Sequence, residues 1–194
     1  MKIPAIVSIT LVLFSCKSAP DQQQANASSS NDSTVFFPVH EYFAAEMKDI
    51  DSTPYFLYKI TEHNGLRDST TISKKQLDEW AKPFLQINTN DASFKKNYTE
   101  NVFNDVSTNS ITLTYSAKDK ALPVQSIEVL LKNDNQQVKR IFISSVYNHG
   151  DTVIINKMGW KTGESFYINR SKQLQGTPDQ SEANSIIWNR KQEK

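Results

Sequence analysis

The chain has 194 residues, with 22 basic and 21 acidic side chains and a formal net charge of +1. This even balance argues against a nucleic-acid-binding protein, which needs a basic face, and against electrostatic capture of strongly charged substrates. With 5 glycines and 1 cysteine, the sequence also argues against glycine-rich phosphate loops, a disulfide framework and a cysteine-ligated metal.

The first fifteen residues predict a secretory signal peptide. A basic start at Lys2 precedes an apolar run over residues 3–14, which is too short for a bilayer span of roughly 20 residues. The run leads into Ser15 and Cys16, the only cysteine. An ordinary signal peptide with an incidental cysteine is the alternative, but the position of the thiol favours a dedicated role.

Residues 13–16, Leu-Phe-Ser-Cys, resemble the lipobox of bacterial lipoproteins. The resemblance implies cleavage before Cys16 and its modification by a diacylglyceryl thioether and an N-acyl chain such as palmitate. Each buried methylene contributes about 0.8 kcal/mol, so two or three acyl chains hold a protein to a bilayer almost permanently. The chain is therefore similar to lipobox-containing lipoproteins of the Bacteroidota. In that family an acidic cluster after the cysteine marks surface export, and its absence after Lys17 implies an outer-membrane anchor facing the periplasm.

The chain divides into three predicted parts. Residues 1–15 form the signal peptide, and residues 16–34 form the lipidated cysteine and a tether. Residues 17–34 have no aromatic or large aliphatic side chain, which predicts disorder because such a segment cannot bury enough surface to offset its ordering entropy. Its root-mean-square reach is roughly 25 Å. Residues 35–194 are long enough for one domain with its own core.

The domain begins with two predicted amphipathic helices separated by a hairpin. Apolar residues recur at helical spacing over residues 39–50, and Asn64-Gly65 supplies a hairpin turn after a strand-like run. The second helix begins at Ser73 with a capping box, and Pro83 should kink or shorten it.

The second half of the domain predicts β-strands. The segments SITLTYS (110–116) and SIEVLLK (126–132) alternate apolar and polar residues, and further strand-like runs follow, separated by turn residues. Connections this short require antiparallel neighbours. The predicted fold class is α+β, with two N-terminal helices packed on an antiparallel, meander-type sheet of six or more strands.

No group of residues forms an active-site signature. His40 begins an H-E-x-x-H-like motif, but Ala44 stands where the second histidine should be, and His63 and His149 fall in predicted turns. A hydrolase would require His, Asp, Glu or Ser side chains that converge in one cleft. We therefore predict no catalytic residue, no metal and no cofactor, and that the chain is not an enzyme.

Asp followed by Ser or Thr recurs along the chain. The tripeptides resemble the O-glycosylation acceptor of exported Bacteroidota proteins, in which an aliphatic residue or Thr comes third. The alternative is plain turn and cap chemistry, in which the same dipeptide is common. The implied acceptor hydroxyls are those of Ser33, Ser52, Ser69 and Thr152.

Several predicted strands carry apolar residues on both faces. The simpler interpretation is a core on one face with some exposed apolar residues on the other. The alternative is a curved sheet around an apolar groove, as in periplasmic lipoprotein carriers. The candidate wall residues of such a groove are Phe142, Val146, Met158, Trp160 and Trp188.

Together these patterns predict a membrane-anchored envelope lipoprotein that acts as a non-enzymatic binding or interaction module. Its partner is an envelope protein or an apolar ligand, and neither interpretation involves nucleic acid. The alternative function is carriage of an apolar ligand or lipid in a cavity between the sheet and the helices.

Overall fold

The computed structural model describes residues 35–63 and 65–188. The elements, in chain order, are α1 (Val39–Ser52), β1 (Tyr58–His63), β2 (Leu66–Thr71), α2 (Lys74–Leu85), α3 (Ala92–Asn97), β3 (Tyr98–Asp105), β4 (Ser110–Ala117), β5 (Val124–Lys132), β6 (Val138–His149), β7 (Thr152–Lys161), β8 (Ser165–Leu174) and β9 (Gln180–Ile187). The predicted signal peptide, lipidation site and tether lie outside the described residues.

The strands form a single nine-stranded sheet in the order β2-β1-β9-β8-β7-β6-β5-β4-β3. Each strand from β3 to β8 pairs antiparallel with the next strand in the chain, as the short turns between them require. The hairpin β1–β2 joins the other side of β9. The predicted antiparallel meander of six or more strands is confirmed. With a few helices beside this sheet, the chain is α+β or mostly β.

The predicted capping box begins α2. The Ser73 hydroxyl accepts from the Gln76 N–H, and the Gln76 side chain accepts from the Ser73 N–H at 2.9 Å. These two bonds satisfy backbone donors that have no partner inside the helix. Pro83 lies inside α2 and does not end it: the proline lacks the N–H that would donate to the preceding turn, yet the helix continues to Leu85.

Strand register divides the sheet into two faces. We call the face that carries Trp160 and its cross-strand neighbours Ile141 and Phe166 the inner face, because alternate residues of a strand point to opposite sides. Gly159 points to the outer face, opposite Tyr167. A Cβ at Gly159 would lie 2.4 Å from Cε1 of Tyr167, so the glycine lets this ring lie directly across β7.

Aromatic rings fill one half of the inner face. The Phe43 ring of α1 lies 5.1 Å from the Trp160 ring, and the Phe84 ring of α2 lies 5.2 Å from that of Phe166. Trp160 and Phe166 stack at 4.9 Å. The indole N–H of Trp160 donates to the Glu46 carboxylate at 3.1 Å, so this buried ring has a partner for its polar atom. Burying each such ring contributes about 1.5–3 kcal/mol.

Candidate functional site

The structure places the predicted apolar wall residues on both sides of the sheet. Met158, Trp160 and Trp188 are buried, and the Trp188 ring lies 5.5 Å from that of Trp160. Phe142 and Val146 are half-buried on the outer face, because Phe142 pairs with Gly159 rather than with an inner-face residue. The structure thus brings three of the five together. Their role as the wall of a ligand cavity stays a prediction.

The predicted modification sites are dispersed. Cys16 and Ser33 lie outside the described residues. Ser52 ends α1, and its hydroxyl donates to the carbonyl three residues earlier at 3.1 Å. Ser69 is exposed on β2, and Thr152 is the half-buried first residue of β7. Their modification stays a prediction.

The histidines do not converge. Nδ1 of His40 donates to the Leu85 carbonyl at 2.7 Å, which links α1 to the end of α2. His149 is the exposed last residue of β6. Within residues 35–63 and 65–188, no group of three or more His, Cys, Asp or Glu side chains is placed to hold a metal ion.

A polar groove occupies the half of the inner face that lies away from the aromatic rings. It consists of two adjoining cavities of about 260 and 420 Å³, which share Arg170 and Glu182. We define the polar groove by Thr61, His63, Trp80, Arg170, Lys172, Glu182 and Asn184.

Strand register explains why the two halves of the inner face differ. Along β8, the inner positions run from Phe166 and Ile168 to Arg170 and Lys172, two residues at a time. Asn156 of β7 lies directly opposite Arg170. The same strands therefore present apolar side chains at one end and polar side chains at the other.

Buried Asn184 fixes the position of the acidic residue Glu182 in the polar groove. Its amide oxygen accepts from the Thr61 hydroxyl at 3.0 Å, and its amide nitrogen donates to the Glu182 carboxylate at 2.8 Å. The Asn184 side chain is only 4% exposed. A buried amide with both ends satisfied is fixed in orientation, so it positions the carboxylate of Glu182.

A second chain of hydrogen bonds positions Arg170. Its Nε donates to the Asn156 amide oxygen at 3.2 Å, and the Asn156 amide nitrogen donates to the hydroxyl of buried Ser145 at 3.4 Å. The terminal guanidinium nitrogens have no hydrogen-bond partner among the residues that the structure describes. A planar guanidinium with its fork open suits bidentate binding of a carboxylate or phosphate.

An aromatic side chain borders the polar groove on the α2 side. Trp80 is half-buried beside Pro83 and Ile168 in the smaller cavity. Nζ of Lys59 lies 4.5 Å from the Trp80 ring centroid, a cation–π contact. The groove therefore offers an aromatic edge, two basic side chains and two carboxylates, of which Glu182 is held by Asn184 and Glu79 is paired with Lys82.

The sequence interpretation missed Arg170, Glu182 and Asn184. A usable signal was present in β8, where the alternation that begins at Phe166 continues with a charged residue at an inward position. A charged side chain at an inward strand position indicates either an uncovered surface or a buried partner.

Comparison with known proteins identifies no relative. No protein-family model, no curated protein and no solved structure matches this chain.

Proposed function

We propose that this chain is an anchored envelope lipoprotein that acts as a non-enzymatic binding module through its polar groove. The observation that carries the proposal is the pairing of Arg170 and Glu182 across β8 and β9. Arg170 is positioned by a hydrogen bond to Asn156 on β7, and Glu182 by a hydrogen bond from Asn184 on its own strand, while the groove stays open. Preorganised polar side chains bind with a smaller loss of conformational entropy.

The chemistry of the polar groove suits a polar partner. Arg170 and Lys172 supply positive charge, Glu182 accepts hydrogen bonds, and Thr61 and Trp80 border them. A segment of an envelope protein with a carboxylate next to a hydrogen-bond donor would match this arrangement. Such a ligand gains specificity from a bidentate contact to the guanidinium.

We also propose that α1 and α2 pack on the inner face and close its aromatic half. Ring contacts support this arrangement, since Phe43 and Phe84 of the helices each lie within about 5 Å of Trp160. A carrier of an apolar ligand or lipid, the alternative function, needs space between helices and sheet. Rings that already contact one another at Trp160 favour a filled interior, and so favour the binding module.

Anchoring at Cys16 rests on the lipobox. Among residues 35–63 and 65–188, no helix combines the length and apolar character needed to cross a bilayer. In the bacterial host, Cys16→Ala should abolish labelling by a fatty-acid probe and leave uncleaved precursor. A matched Ser15→Ala variant should label normally. Normal labelling of the Cys16→Ala protein would show that the cysteine is not the anchor.

The groove is tested by photo-crosslinking in the full-length protein in its host. A benzophenone amino acid at exposed Gln180, which lines the groove, should give a discrete crosslinked product. The same probe at exposed Asp119, in the turn after β4, serves as the matched control. The product should disappear when Arg170→Gln is added and persist with Lys120→Gln, which removes an equal charge elsewhere.

Equal products at both probe positions, or a product insensitive to Arg170→Gln, would contradict a binding site in the polar groove. Native mass spectrometry of residues 17–194, purified without detergent, distinguishes the binding module from the alternative function of a carrier. A stoichiometric apolar ligand that is lost on denaturation would support the carrier instead.

A further inference from the structure

A basic cleft lies at the opposite end of the strands from the polar groove. It is a cavity of about 770 Å³ beside the turns β5–β6 and β7–β8. We define it by Lys132, Lys139, Arg140 and Lys161, with Glu164 as the one acidic residue among its lining side chains. The whole chain carries a net charge of only +1, so this cleft is a local concentration of positive charge that composition does not reveal.

Two of the four cations form no side-chain hydrogen bond or ion pair within the part of the chain that the structure describes. Lys161 forms an ion pair with Glu164, and Nζ of Lys132 donates to the Gln137 side chain at 3.3 Å. Lys139 and Arg140 form no hydrogen bond or ion pair through their side chains with any residue that the structure describes. Their charges are therefore available to an external anion.

Hydrogen bonds hold the wall of the basic cleft in place. The Thr162 hydroxyl donates to the Val138 carbonyl at 2.7 Å and lies 2.6 Å from the Tyr42 hydroxyl. Burial raises the pKa of the Tyr42 hydroxyl above its ordinary value, against the opposing effect of its bond to Thr162. The tyrosine therefore stays a neutral hydroxyl and adds no negative charge to the cleft.

Both ends of the described chain lie beside the basic cleft. The Phe37 ring lies 6.0 Å from that of Tyr42, which lines the cleft, and the described chain begins two residues before Phe37. At the other end, the Trp188 N–H donates to the Glu164 carbonyl at 2.9 Å.

We propose that the basic cleft binds phosphate groups of anionic lipid headgroups and so docks the domain on the membrane that holds its anchor. The proposal rests on the anchoring proposed above, because an 18-residue tether with a reach of roughly 25 Å keeps this end of the domain near the lipid surface. Anionic headgroups attract basic clusters within about a Debye length, or roughly 8–10 Å.

Docking at the basic cleft would orient the polar groove. Lys161 and Asn156 are five residues apart on β7, which is roughly 17 Å along a strand. With the cleft against the headgroups, the groove faces away from the membrane. A partner in the periplasm could then reach Arg170 without meeting the bilayer.

Vesicle co-sedimentation of residues 17–194 tests the proposal. This chain keeps every described residue and carries no acyl group, so binding reports the cleft and not the anchor. It should sediment with vesicles of mixed phosphatidylglycerol and phosphatidylcholine, and the bound fraction should fall as salt rises. Lys139→Gln with Arg140→Gln should lower partitioning at least tenfold, since each basic residue near an anionic surface contributes about fivefold.

The matched control is Lys95→Gln with Lys96→Gln, which removes the same charge from exposed positions on α3. It should change partitioning less than twofold, and circular dichroism should show both variants folded. An equal loss of partitioning in the control would show that net charge alone determines vesicle binding, and this would overturn the proposal. Equal binding to pure phosphatidylcholine would overturn it as well.

Free inorganic phosphate carries the same anionic group as a lipid headgroup and is the other ligand that could bind the basic cleft. If inorganic phosphate shifts the amide resonances of Lys139 and Arg140 while anionic vesicles do not bind the protein, the cleft is a soluble phosphate site and membrane docking is wrong. These outcomes are independent of fatty-acid labelling at Cys16 and of crosslinking at Gln180. The docking and the proposed function can therefore fail separately.

Discussion

The two halves of the inner face are built by the same strands and yet have opposite character. In one half, Trp160 and Phe166 are almost fully buried and contact the rings of α1 and α2. In the other, Arg170 and Glu182 are exposed in the polar groove. Backbone pairing is continuous through both halves, so the difference lies in the side chains and in what contacts them.

Desolvation explains where the boundary falls. A guanidinium or carboxylate without a partner is too costly to bury, whereas aromatic rings gain free energy from burial. Asn184 stands at the boundary as a buried polar residue that is satisfied on both sides by Thr61 and Glu182. The aromatic half should therefore carry the stability of the domain, and the polar half should carry its specificity.

Truncation of Trp160 should have the largest effect. Trp160→Ala removes a ring that contacts Phe43, Phe84 and Phe166 and leaves a cavity, so we expect the free energy of unfolding to fall by about 3–5 kcal/mol. Urea denaturation followed by fluorescence measures the loss. The matched control is Trp80→Ala in the polar half, which should cost less than half as much. Equal losses would show that the two halves do not differ in stability.

Replacement of Asn184 should have the next largest effect. Asn184→Ala leaves the Thr61 hydroxyl and the Glu182 carboxylate without their amide partner, and a lost buried hydrogen-bond partner costs about 1–3 kcal/mol. Asn169→Ala, which changes an exposed amide on the neighbouring strand, serves as control under the same urea titration. If both variants unfold at the same urea concentration, Asn184 does not fix the boundary.

Strand alternation and turn residues were sufficient to predict the antiparallel meander, because each strand pairs with its neighbour in sequence. They were also sufficient to predict the capping box at Ser73, which is a local interaction. The pairing of β1 with β9 was not predictable in this way. It joins residues more than 120 positions apart, and nothing in either segment alone selects the partner.

The two candidate sites were not predicted from the sequence, for a related reason. The polar groove depends on register, which places Asn156, Arg170 and Glu182 side by side from three strands. The basic cleft depends on two turns that meet at one end of the sheet, so Lys139 and Lys161 become neighbours only in the fold. A neutral composition is compatible with a locally basic surface, because composition averages over the whole chain.

Removal of the α2 cap should have a smaller effect than either core change. Ser73→Ala deletes the hydroxyl that accepts from Gln76, and loss of such a cap typically costs about 1 kcal/mol. Since α2 carries Phe84 toward the aromatic half and Trp80 toward the polar groove, both halves should loosen together. Hydrogen exchange of α2 amides measures this, with Ser93→Ala in α3 as the control. If the α2 amides exchange equally fast in the Ser93→Ala protein, the change does not depend on the cap at Ser73.

The smallest effect on stability, and the most informative, is expected for Arg170→Gln. The side chain is exposed and keeps one hydrogen bond, to Asn156, so the free energy of unfolding should stay within about 0.5 kcal/mol of the wild type. The same variant should abolish the crosslink from Gln180, because the open guanidinium fork is the proposed ligand contact. A loss of stability as large as that of Asn184→Ala would mean that Arg170 serves the sheet and not a partner. The contrast between the two halves would then reflect packing alone, and the polar groove would not be the binding surface.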